Sequence, residues 1–349
     1  MTLFQIDTII DNYIIKWLLY CIKAGEDIVF PCSNSLIALT FWNKGKRQGE
    51  KMTKDTLTRK QFHILTYLEQ NGTNKTQREI AEATGMSVGS VNRTLSFFHE
   101  KEFLNASGLT AQGYQALEPY RVKRAIFIAA GFGSRLVPIT LNTPKPLVRV
   151  KGVRLIDTLL DAVLAAGIDE IYIVRGYLGE QFDQLLIKYP MIRLIDNPLY
   201  QETNNISSAM CARALFSNAY VMEADLYLYN PALITKYQYH SNYLGVPTEK
   251  TDDWCFETKN GVITKLKCGG IQCHHMYGIS YWSEEDGKKL EEDIEQAYHL
   301  PGGKESYWDQ VPLEFFLKHY QVEVRECTFD DVIEIDTFSD LKKIDSAYC

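Results

Sequence analysis

The stretch AIFIAAGFGSRLVPITLNTPKPLVRVKG, Ala125–Gly152, largely determines the fold of this chain. It begins with a continuous apolar run, which is typical of a strand buried on both faces of a parallel sheet. The run leads into a turn with Gly131 and Gly133, and glycine lets backbone N–H groups approach a phosphate closely. Arg135 and, between two prolines, Lys145 follow the turn. Strand, glycine-rich turn and two cations at this spacing predict a site for an anionic phosphate ligand.

The spacing of the glycines excludes two common phosphate-binding motifs. The second glycine is followed by Ser-Arg, so the turn is not the dinucleotide fingerprint GxGxxG, and no GK[ST] ending marks a P-loop. Arg135 offers a fork of donors that suits a triphosphate, whereas Lys145 supplies a point charge.

Strands and helices alternate along the rest of the chain. This pattern predicts an α/β fold with a Rossmann-like, mixed and mostly parallel sheet flanked by helices. The predicted strands are RAIFIAA, EIYIVRGY, MIRLIDN and AYVMEADLYL, and the predicted helices are DTLLDAVLAAGI, QFDQLLIKY and NISSAMCARALF.

Two aspartates are the candidate metal ligands. Asp225 is placed at the end of the strand AYVMEADLYL, and Asp336 lies in VIEIDTF. Aspartates at the carboxyl ends of strands can meet in the cleft above an open α/β sheet. Carboxylates together with phosphate oxygens and water are the ligands of Mg²⁺, so the pair predicts a magnesium site. Glu223 and Glu334, two residues earlier, are further candidates, and an ordinary strand-end role is the alternative.

With these motifs the chain resembles the nucleotidyltransferase superfamily, which joins a nucleoside triphosphate to a sugar phosphate or choline phosphate. Within it, the chain is most similar to the choline-phosphate cytidylyltransferases of bacterial lic operons. The resemblance spans residues 123–345, and its motifs recur in the order AAGFGSRLVP with PKPLV, RGYLGEQF, NNISS, EADLYL, SYWDQ and IEIDT. It implies a cytoplasmic, Mg²⁺-dependent enzyme that joins CTP and phosphocholine, with no covalent enzyme intermediate.

The resemblance also implies roles for particular residues. The catalytic residues would be Arg135, Lys145, Asp225 and Asp336, of which the two aspartates would also bind the metal. The nucleotide would be held by Ala129, Ala130, Gly131, Gly133, Gly176, Tyr177, Asn204 and Asn205. Asn204 and Asn205 also suit a turn and helix N-cap. They precede Ile206 where the choline enzymes carry an aromatic residue, which leaves the choice of acceptor and base open.

A quaternary ammonium is bound by aromatic faces and a nearby carboxylate. The resemblance implies that the acceptor contacts Trp254, Tyr307 and Asp309, with Glu326 as a second carboxylate. Buried tryptophan and tyrosine are also common core residues. A sugar 1-phosphate, phosphoethanolamine and aminoethylphosphonate are alternative acceptors. A winged-helix transcription regulator with a nucleotide-sensing domain is an alternative of another class, against which the intact Arg135 and Lys145 argue.

Residues 52–122 predict a small helical domain before the catalytic domain, residues 123–349. A helix over Leu57–Gln70 is followed by TQREIAEATG, in which Thr76 and Glu79 predict a capping box, and by a turn at Gly85. Helix, turn, helix and a short ribbon resemble the winged helix of MarR-type bacterial regulators. Its recognition helix would be Ser87–His99, and the outward residues proposed to contact DNA are Ser90, Asn92, Arg93 and Thr94. The alternative is a solvated helix on a domain that serves regulation or dimerisation.

Charge is distributed unevenly along the 349 residues, whose formal net charge is −7. Residues 52–124 carry +3 and residues 125–349 carry −11. A charge of +3 is small for a DNA-binding surface, because phosphate contacts dominate affinity for DNA. No apolar run of about 18 residues predicts a membrane span.

The eight cysteines are scattered without a CxxC pair, which indicates reduced cytosolic thiols. Cys268, Cys273, His274 and His275 could bind zinc, but they could also lie on adjacent strands of a hairpin, pointing to opposite faces.

Residues 1–51 are predicted to be an N-terminal extension, whose place in the native protein the sequence leaves open. IIDNYIIKWLLYCIK, Ile9–Lys23, predicts an amphipathic or buried helix and lacks the basic start and small-residue cleavage site of a signal peptide. Met52 could be the true start of translation.

Overall fold

Residues 56–349 are described by a computed structural model. The predicted extension 1–51, its helix and the alternative start at Met52 lie outside the described residues. Leu57–Cys349 forms one compact unit, so the predicted domain boundary at 122 and 123 falls inside that unit. Among the described residues, no helix combines the length and apolarity needed to cross a bilayer.

The first part of this unit is helical. Thr58 and Thr76 begin two of its helices with capping boxes, and Gly85 ends the second helix in the left-handed conformation with φ 66°. The predicted capping box at Thr76 and turn at Gly85 are therefore confirmed. The elements are α1 (Arg59–Asn71), α2 (Gln77–Thr84), α3 (Val88–Glu100), β1 (Leu104–Asn105), β2 (Gly108–Leu109) and α4 (Ala111–Leu117).

Helix α3 presents a narrower polar surface than the sequence predicts. Ser90 and Thr94 are each only 8% exposed, because they lie on the same face of the helix as the core residues Val91 and Phe98. The prediction that Ser90 and Thr94 point outward is wrong, since it ignores this helical periodicity. Of the four residues proposed to contact DNA, only Asn92 and Arg93 are exposed.

The second part is an α/β sheet of seven strands. Their order is β10 (Asn242–Lys259), β12 (Glu323–Glu326), β11 (Val262–Trp282), β8 (Ala219–Glu223), β3 (Arg124–Ala129), β6 (Glu170–Arg175) and β7 (Ile192–Asp196). Strands β8, β3, β6 and β7 run parallel to one another, and β11 runs antiparallel to β8. Apolar side chains cover both faces, as expected for a buried sheet with helices on either side. The mixed, mostly parallel α/β fold is therefore confirmed.

The strands of this part are β3 (Arg124–Ala129), β4 (Arg149–Val150), β5 (Val153–Arg154), β6 (Glu170–Arg175), β7 (Ile192–Asp196), β8 (Ala219–Glu223), β9 (Leu226–Leu228), β10 (Asn242–Lys259), β11 (Val262–Trp282), β12 (Glu323–Glu326) and β13 (Val332–Glu334). The α-helices are α5 (Leu155–Ala165), α6 (Leu185–Lys188), α7 (Ile206–Ala212), α8 (Glu284–Tyr298) and α9 (Phe338–Ile344). The predicted helix QFDQLLIKY is a 3₁₀ helix over its first four residues and continues as the short helix α6.

The segment AYVMEADLYL is not the single strand that its apolar pattern predicts. It breaks at Ala224 and Asp225, and β9 leaves the main sheet to pair with β13 in a separate two-stranded sheet. Asp225 therefore lies in a bend between two strands, and Asp336 follows β13 rather than a strand of the main sheet. The bend brings the two aspartates to the same edge of the fold.

The cysteine and histidine cluster lies on one strand. Cys268, Cys273, His274 and His275 all belong to β11, which corrects the expectation of adjacent strands. Cys268 is exposed and Cys273 is buried, while the two histidines bond to Glu326 and Thr251 instead of a common point. Within residues 56–349, the only group of three or more potential ligands close enough for a metal lies elsewhere, so the zinc interpretation is not supported.

Candidate active site

The glycine-rich turn follows β3 at the centre of the sheet. Gly133 has φ 61°, a conformation that favours glycine. A Cβ atom added there would lie 2.9 Å from Cβ of Lys145 and 3.1 Å from Cγ2 of Thr140. Thr140 also donates a hydrogen bond from Oγ1 to the Gly133 carbonyl oxygen, at 2.8 Å. The turn is thus folded tightly against the segment that carries Lys145.

A cavity of about 390 Å³ opens above this turn. It brings together most of the residues expected to bind nucleotide or metal, although they come from distant parts of the chain. They are Ala129, Ala130, Gly131, Gly133, Arg135, Lys145, Asn204, Asn205, Asp225 and Asp336.

Two cations and two carboxylates form a chain of ion pairs in this cavity. The Nζ atom of Lys145 lies 2.7 Å from Oδ2 of Asp225 and 2.9 Å from Oδ1 of Asp336. Arg135 pairs with Oδ2 of Asp336, also at 2.9 Å. Burial alone would lower the pKa of Lys145, but the charges of both aspartates outweigh it and raise that pKa. Lys145 is therefore a fixed positive charge at neutral pH.

The same carboxylates form a site with the composition of a divalent-cation site. Oxygen atoms of Asp225, Glu334 and Asp336 lie within 4.8 Å of one another. Atom Oδ1 of Asp225 is buried and has no hydrogen-bond partner within residues 56–349, which leaves a lone pair for a ligand. Burial and the charge of Asp225 raise the pKa of Glu334 well above its ordinary value. Oxygen donors of this kind suit a hard cation, so the residues present fit the divalent metal that nucleotidyltransferases of this kind generally use.

Gly176 and Tyr177 support the turn and do not line the cavity. The backbone N–H of Tyr177 donates to the Ala130 carbonyl at 3.1 Å, and the Tyr177 hydroxyl donates to the Thr140 carbonyl at 2.9 Å. A Cβ atom at Gly176 would lie 2.6 Å from Cγ of the Tyr200 ring. Tyr200 and Phe132 are the aromatic residues that face the cavity next to the turn. The expected contact of Gly176 and Tyr177 with the base therefore becomes an indirect, positioning role.

Asn204 and Asn205 join the nucleotide cavity to the segment beyond α8. Oδ1 of Asn205 accepts a hydrogen bond from the backbone N–H of Trp308 at 2.8 Å. Nδ2 of Asn204 donates to the Glu305 carbonyl at 3.1 Å. Asn205 stands at the N-cap of α7 but makes no side-chain cap bond there. Its amide instead fixes the position of the residue next to Asp309.

A second cavity, of about 250 Å³, adjoins the first. The two share five lining residues, namely Arg135, Glu223, Asp225, Tyr307 and Asp336. Trp254 and Tyr307 meet edge to face on its wall, with their ring centroids 5.8 Å apart. Asp309 lies beside them and accepts a hydrogen bond from the hydroxyl of Tyr243. Burial raises the pKa of Asp309 to about 7. Three of the four residues expected to contact the acceptor are therefore in one place.

Glu326 is the fourth, and the structure places it outside both cavities. Its side chain is 66% exposed at the end of β12, where Oε1 lies 3.3 Å from Nε2 of His274. The expectation that Glu326 is the second acceptor carboxylate is therefore wrong. Its neighbours in sequence gave no indication of the direction in which the side chain points.

Glu223 lines both cavities, although the sequence suggested it only as a weaker metal ligand. Burial and the charges of Asp225 and Asp309 raise the pKa of Glu223 well above its ordinary value. Asn197, Tyr200, Ser207 and Ser208 also line the first cavity and were not predicted. Their sequence signal is their position after a strand of the parallel sheet, where ligand-binding loops lie.

Comparison with known proteins agrees with this geometry. Residues 124–243 match the nucleotidyl transferase family model. The 2-aminoethylphosphonate cytidylyltransferase of Lancefieldella rimae is 33% identical over 228 residues, which cover 64% of this chain and 92% of that protein. The chain belongs to the nucleotidyl transferase family. It is an enzyme, and similarity at this level and coverage places it among the cytidylyltransferases of this family.

Two further comparisons extend the relationship to choline-phosphate enzymes. The choline-phosphate cytidylyltransferase of Streptococcus pneumoniae is 33% identical over 230 residues, 64% of this nucleotidyltransferase and 96% of the relative. The solved structure of CTP:phosphocholine cytidylyltransferase from the same organism superposes with a TM-score of 0.61 at 32% identity, covering 66% of this chain and all of that one. Residues 55–105 match the MarR family model, so the resemblance of the helical region to MarR regulators is confirmed.

Proposed function

We propose that this nucleotidyltransferase joins CTP and phosphocholine to give CDP-choline and pyrophosphate. The observation that carries the proposal is the cavity containing Trp254, Tyr307 and Asp309, which adjoins the cation-lined cavity at the glycine turn. Aromatic faces and a carboxylate suit a quaternary ammonium, each cation–π contact contributing roughly 0.5–2 kcal/mol. Similarity to choline-phosphate cytidylyltransferases supports the same acceptor.

The reaction needs little from the protein beyond positioning and charge. An acceptor phosphate oxygen, which is already anionic, forms a bond to the α-phosphorus of CTP. The bond from that phosphorus to the bridging oxygen breaks, and pyrophosphate leaves with the electron pair. Arg135 and Lys145 neutralise the phosphate oxygens, and the turn at Gly131 and Gly133 offers backbone N–H groups. No protein nucleophile or general base is required.

The metal in this proposal is Mg²⁺. Asp225 and Asp336, with Glu334, would hold it, and when bound it would supply further neutralisation of phosphate charge. These residues are carboxylates without a nitrogen or sulfur donor among them, which supports a hard divalent cation.

Phosphoethanolamine and 2-aminoethylphosphonate are the second candidate acceptors. In the part of the chain that the structure describes, six carboxyl groups line the second cavity, but only two aromatic side chains do, Trp254 and Tyr307. A primary ammonium donates hydrogen bonds and therefore gains more from carboxylates than a quaternary ammonium does. Similarity to a 2-aminoethylphosphonate cytidylyltransferase also supports these acceptors.

Pyrophosphate release by the full-length enzyme tests these assignments. We expect turnover with CTP and a divalent cation, and the highest kcat/KM with phosphocholine among phosphocholine, phosphoethanolamine, 2-aminoethylphosphonate and glucose 1-phosphate. The other three nucleoside triphosphates should be poorer donors. Turnover with glucose 1-phosphate but not with phosphocholine would overturn the proposal. Preference for an acceptor with a primary ammonium would select the second candidate.

DNA binding by the winged helix is a second proposed function of the same chain, with residues 52–122 as its domain and residues 123–349 as the catalytic domain. It rests on the match to the MarR family model and on the exposed Asn92 and Arg93 of α3. Ser90 and Thr94 are not part of this proposal, because they are buried. A regulator with an inactive catalytic domain is disfavoured by the intact pairing of Lys145 with Asp225 and Asp336.

Replacing Arg93 by alanine should weaken binding to the promoter of the protein's own operon. If Arg93 contacts a phosphate, the slope of log K against log salt concentration should fall by about 1. A gel-shift titration at several salt concentrations measures this slope. Lys60→Ala, which removes an exposed lysine from α1, is the control and should leave the slope unchanged. Equal slopes for Arg93→Ala and the unaltered protein would contradict a phosphate contact at Arg93.

A further inference from the structure

Glu223 lies where the two cavities of the active site meet. It is the last residue of β8, and its side chain lines both the nucleotide cavity and the cavity with Trp254 and Tyr307. It does not belong to the cluster of Asp225, Glu334 and Asp336 that fits a metal. The position of Glu223 therefore calls for a role other than metal binding.

Gly278 on the neighbouring strand β11 makes room for this side chain. Ile279 pairs with Met222 of β8, which sets Gly278 beside Glu223. A Cβ atom at position 278 would lie 2.2 Å from Oε2 and 2.6 Å from Cγ of Glu223. Any side chain at position 278 would therefore displace the carboxyl group. The absence of a side chain at this point in the strand allows Glu223 to reach the cavities.

The carboxyl group of Glu223 has no partner among the described residues. Within residues 56–349 it forms no hydrogen bond and no ion pair, whereas Asp309 accepts a bond from Tyr243 and Asp336 pairs with Lys145 and Arg135. The side chain is only partly buried where it lines the two cavities, so a cationic group supplied by a ligand can reach the carboxyl group and pair with it.

The charge of the surrounding cavity also favours a cationic ligand. Six carboxyl groups line it. Among the described residues, its only cationic lining side chain is Arg135, which already pairs with Asp336, and Lys145 is likewise taken up by Asp225 and Asp336. One divalent metal at Asp225, Glu334 and Asp336 would leave Glu223, Asp253 and Asp309 without a counter-ion. A ligand with a positive head group would supply this counter-ion. Trp254 lines the same cavity and would cover the apolar surface of the head group.

We propose that Glu223, given room by Gly278, binds the ammonium group of the acceptor and determines selectivity for cationic acceptors. Glu223 thus takes the place that the sequence assigned to Glu326. The inference rests on the proposed cytidylyltransferase reaction, because it names a contact of that reaction's acceptor. It applies equally to quaternary and primary ammonium groups, since both carry the charge that Glu223 would meet.

The test compares two acceptors of the same shape that differ in charge. Phosphocholine carries a quaternary ammonium, and 3,3-dimethylbutyl phosphate has carbon in place of the nitrogen. In Glu223→Gln, kcat/KM for phosphocholine should fall at least about tenfold, as expected for loss of a contact between charged groups, whereas kcat/KM for the uncharged acceptor should change little. Gly278→Ala should produce the same selective loss by displacing the carboxyl group. Glu326→Gln is the matched control and should leave both values unchanged.

Each outcome bears on the proposal. An equal loss of kcat/KM with both acceptors would show that Glu223 acts on the nucleotide or the metal. Unchanged kcat/KM values for both acceptors would show that Glu223 does not contact the head group. Either result overturns the inference while the cytidylyltransferase reaction stands. If the unaltered enzyme turns over no acceptor with CTP, the proposed function fails, and this assignment fails with it. Should Glu223→Gln prove misfolded by circular dichroism, Gly278→Ala and Glu223→Asp provide the same comparison.

Discussion

Replacing Asp225 by asparagine should lower kcat about a thousandfold while leaving the fold intact. The substitution keeps the shape of the side chain but removes the negative charge beside Lys145. It also replaces a carboxylate, whose buried Oδ1 has no partner in the described part of the chain, by a neutral amide that is a poorer metal ligand. Neutralisation of phosphate charge by a metal is worth several kcal/mol, and about 1.4 kcal/mol corresponds to a factor of ten in rate. Pyrophosphate release under saturating CTP and acceptor measures kcat.

Asp196→Asn is the matched control for this prediction. Asp196 also ends a strand of the parallel sheet, but its side chain is largely exposed and pairs with Arg175 outside the nucleotide cavity. Its replacement should leave kcat within about twofold, because surface ion pairs contribute little. Circular dichroism during heating should show a cooperative unfolding transition for both variants, which would establish that both are folded. Full activity of a folded Asp225→Asn enzyme would remove Asp225 from the metal site.

The glycine turn could be predicted because its signals are local. A buried apolar strand, glycines that permit φ 61° at Gly133, and cations soon after them all fall within Ala125–Gly152. The capping box at Thr76 is local in the same sense, since its two members are three residues apart. Interactions between residues that are close in sequence can be predicted from the sequence alone, because they do not depend on how distant segments fold together.

The ion-pair chain in the nucleotide cavity left no such pattern. Lys145 contacts Asp225 and Asp336, which lie 80 and 191 residues further along the chain. The resemblance to known nucleotidyltransferases suggested which residues belong together, but it did not give their pairing. The bend after β8, which sends β9 into a second sheet with β13, is what brings these side chains together.

The direction of a side chain was the least predictable property. Glu326 and Glu223 each end a strand and are both acidic, yet one pairs with His274 outside the cavities and the other lines both. The room that Glu223 occupies depends on the glycine at position 278, which belongs to another strand. The prediction that Ser90 points outward was wrong for a simpler reason, because helical periodicity already places Ser90 on the same face as Val91 and Phe98.

Replacing Lys145 by methionine should show two effects of its charge, one on the stability of the fold and one on kcat. Methionine keeps the unbranched apolar stem that packs near Gly133 but lacks the charge. Without the lysine charge, Asp225 loses its counter-ion and repels Asp336, which keeps only Arg135. Loss of one partner of a buried ion pair costs about 3–5 kcal/mol of stability. The variant should unfold at a lower temperature, and kcat should fall about a hundredfold or more because a charge that neutralises the triphosphate is lost.

Divalent cations should reverse much of this loss of stability in Lys145→Met even without nucleotide. The Nζ atom of Lys145 lies 2.7 Å from Asp225 and 2.9 Å from Asp336, so in the unaltered protein it competes with a metal for the same carboxylates. Titration with Mg²⁺ should therefore raise the melting temperature of the variant more than that of the unaltered enzyme.

Arg135→Met is the control for the metal titration, because Arg135 also pairs with Asp336 but is 67% exposed. An exposed pair of this kind stabilises a protein by about 0–1 kcal/mol, so Mg²⁺ should affect this variant much as it affects the unaltered enzyme. If Mg²⁺ shifted all three proteins equally, Lys145 would not compete with the metal. A larger shift in Lys145→Met alone would mean that the lysine holds the carboxylates in place before the metal and triphosphate arrive, and that its charge then becomes available to the phosphates.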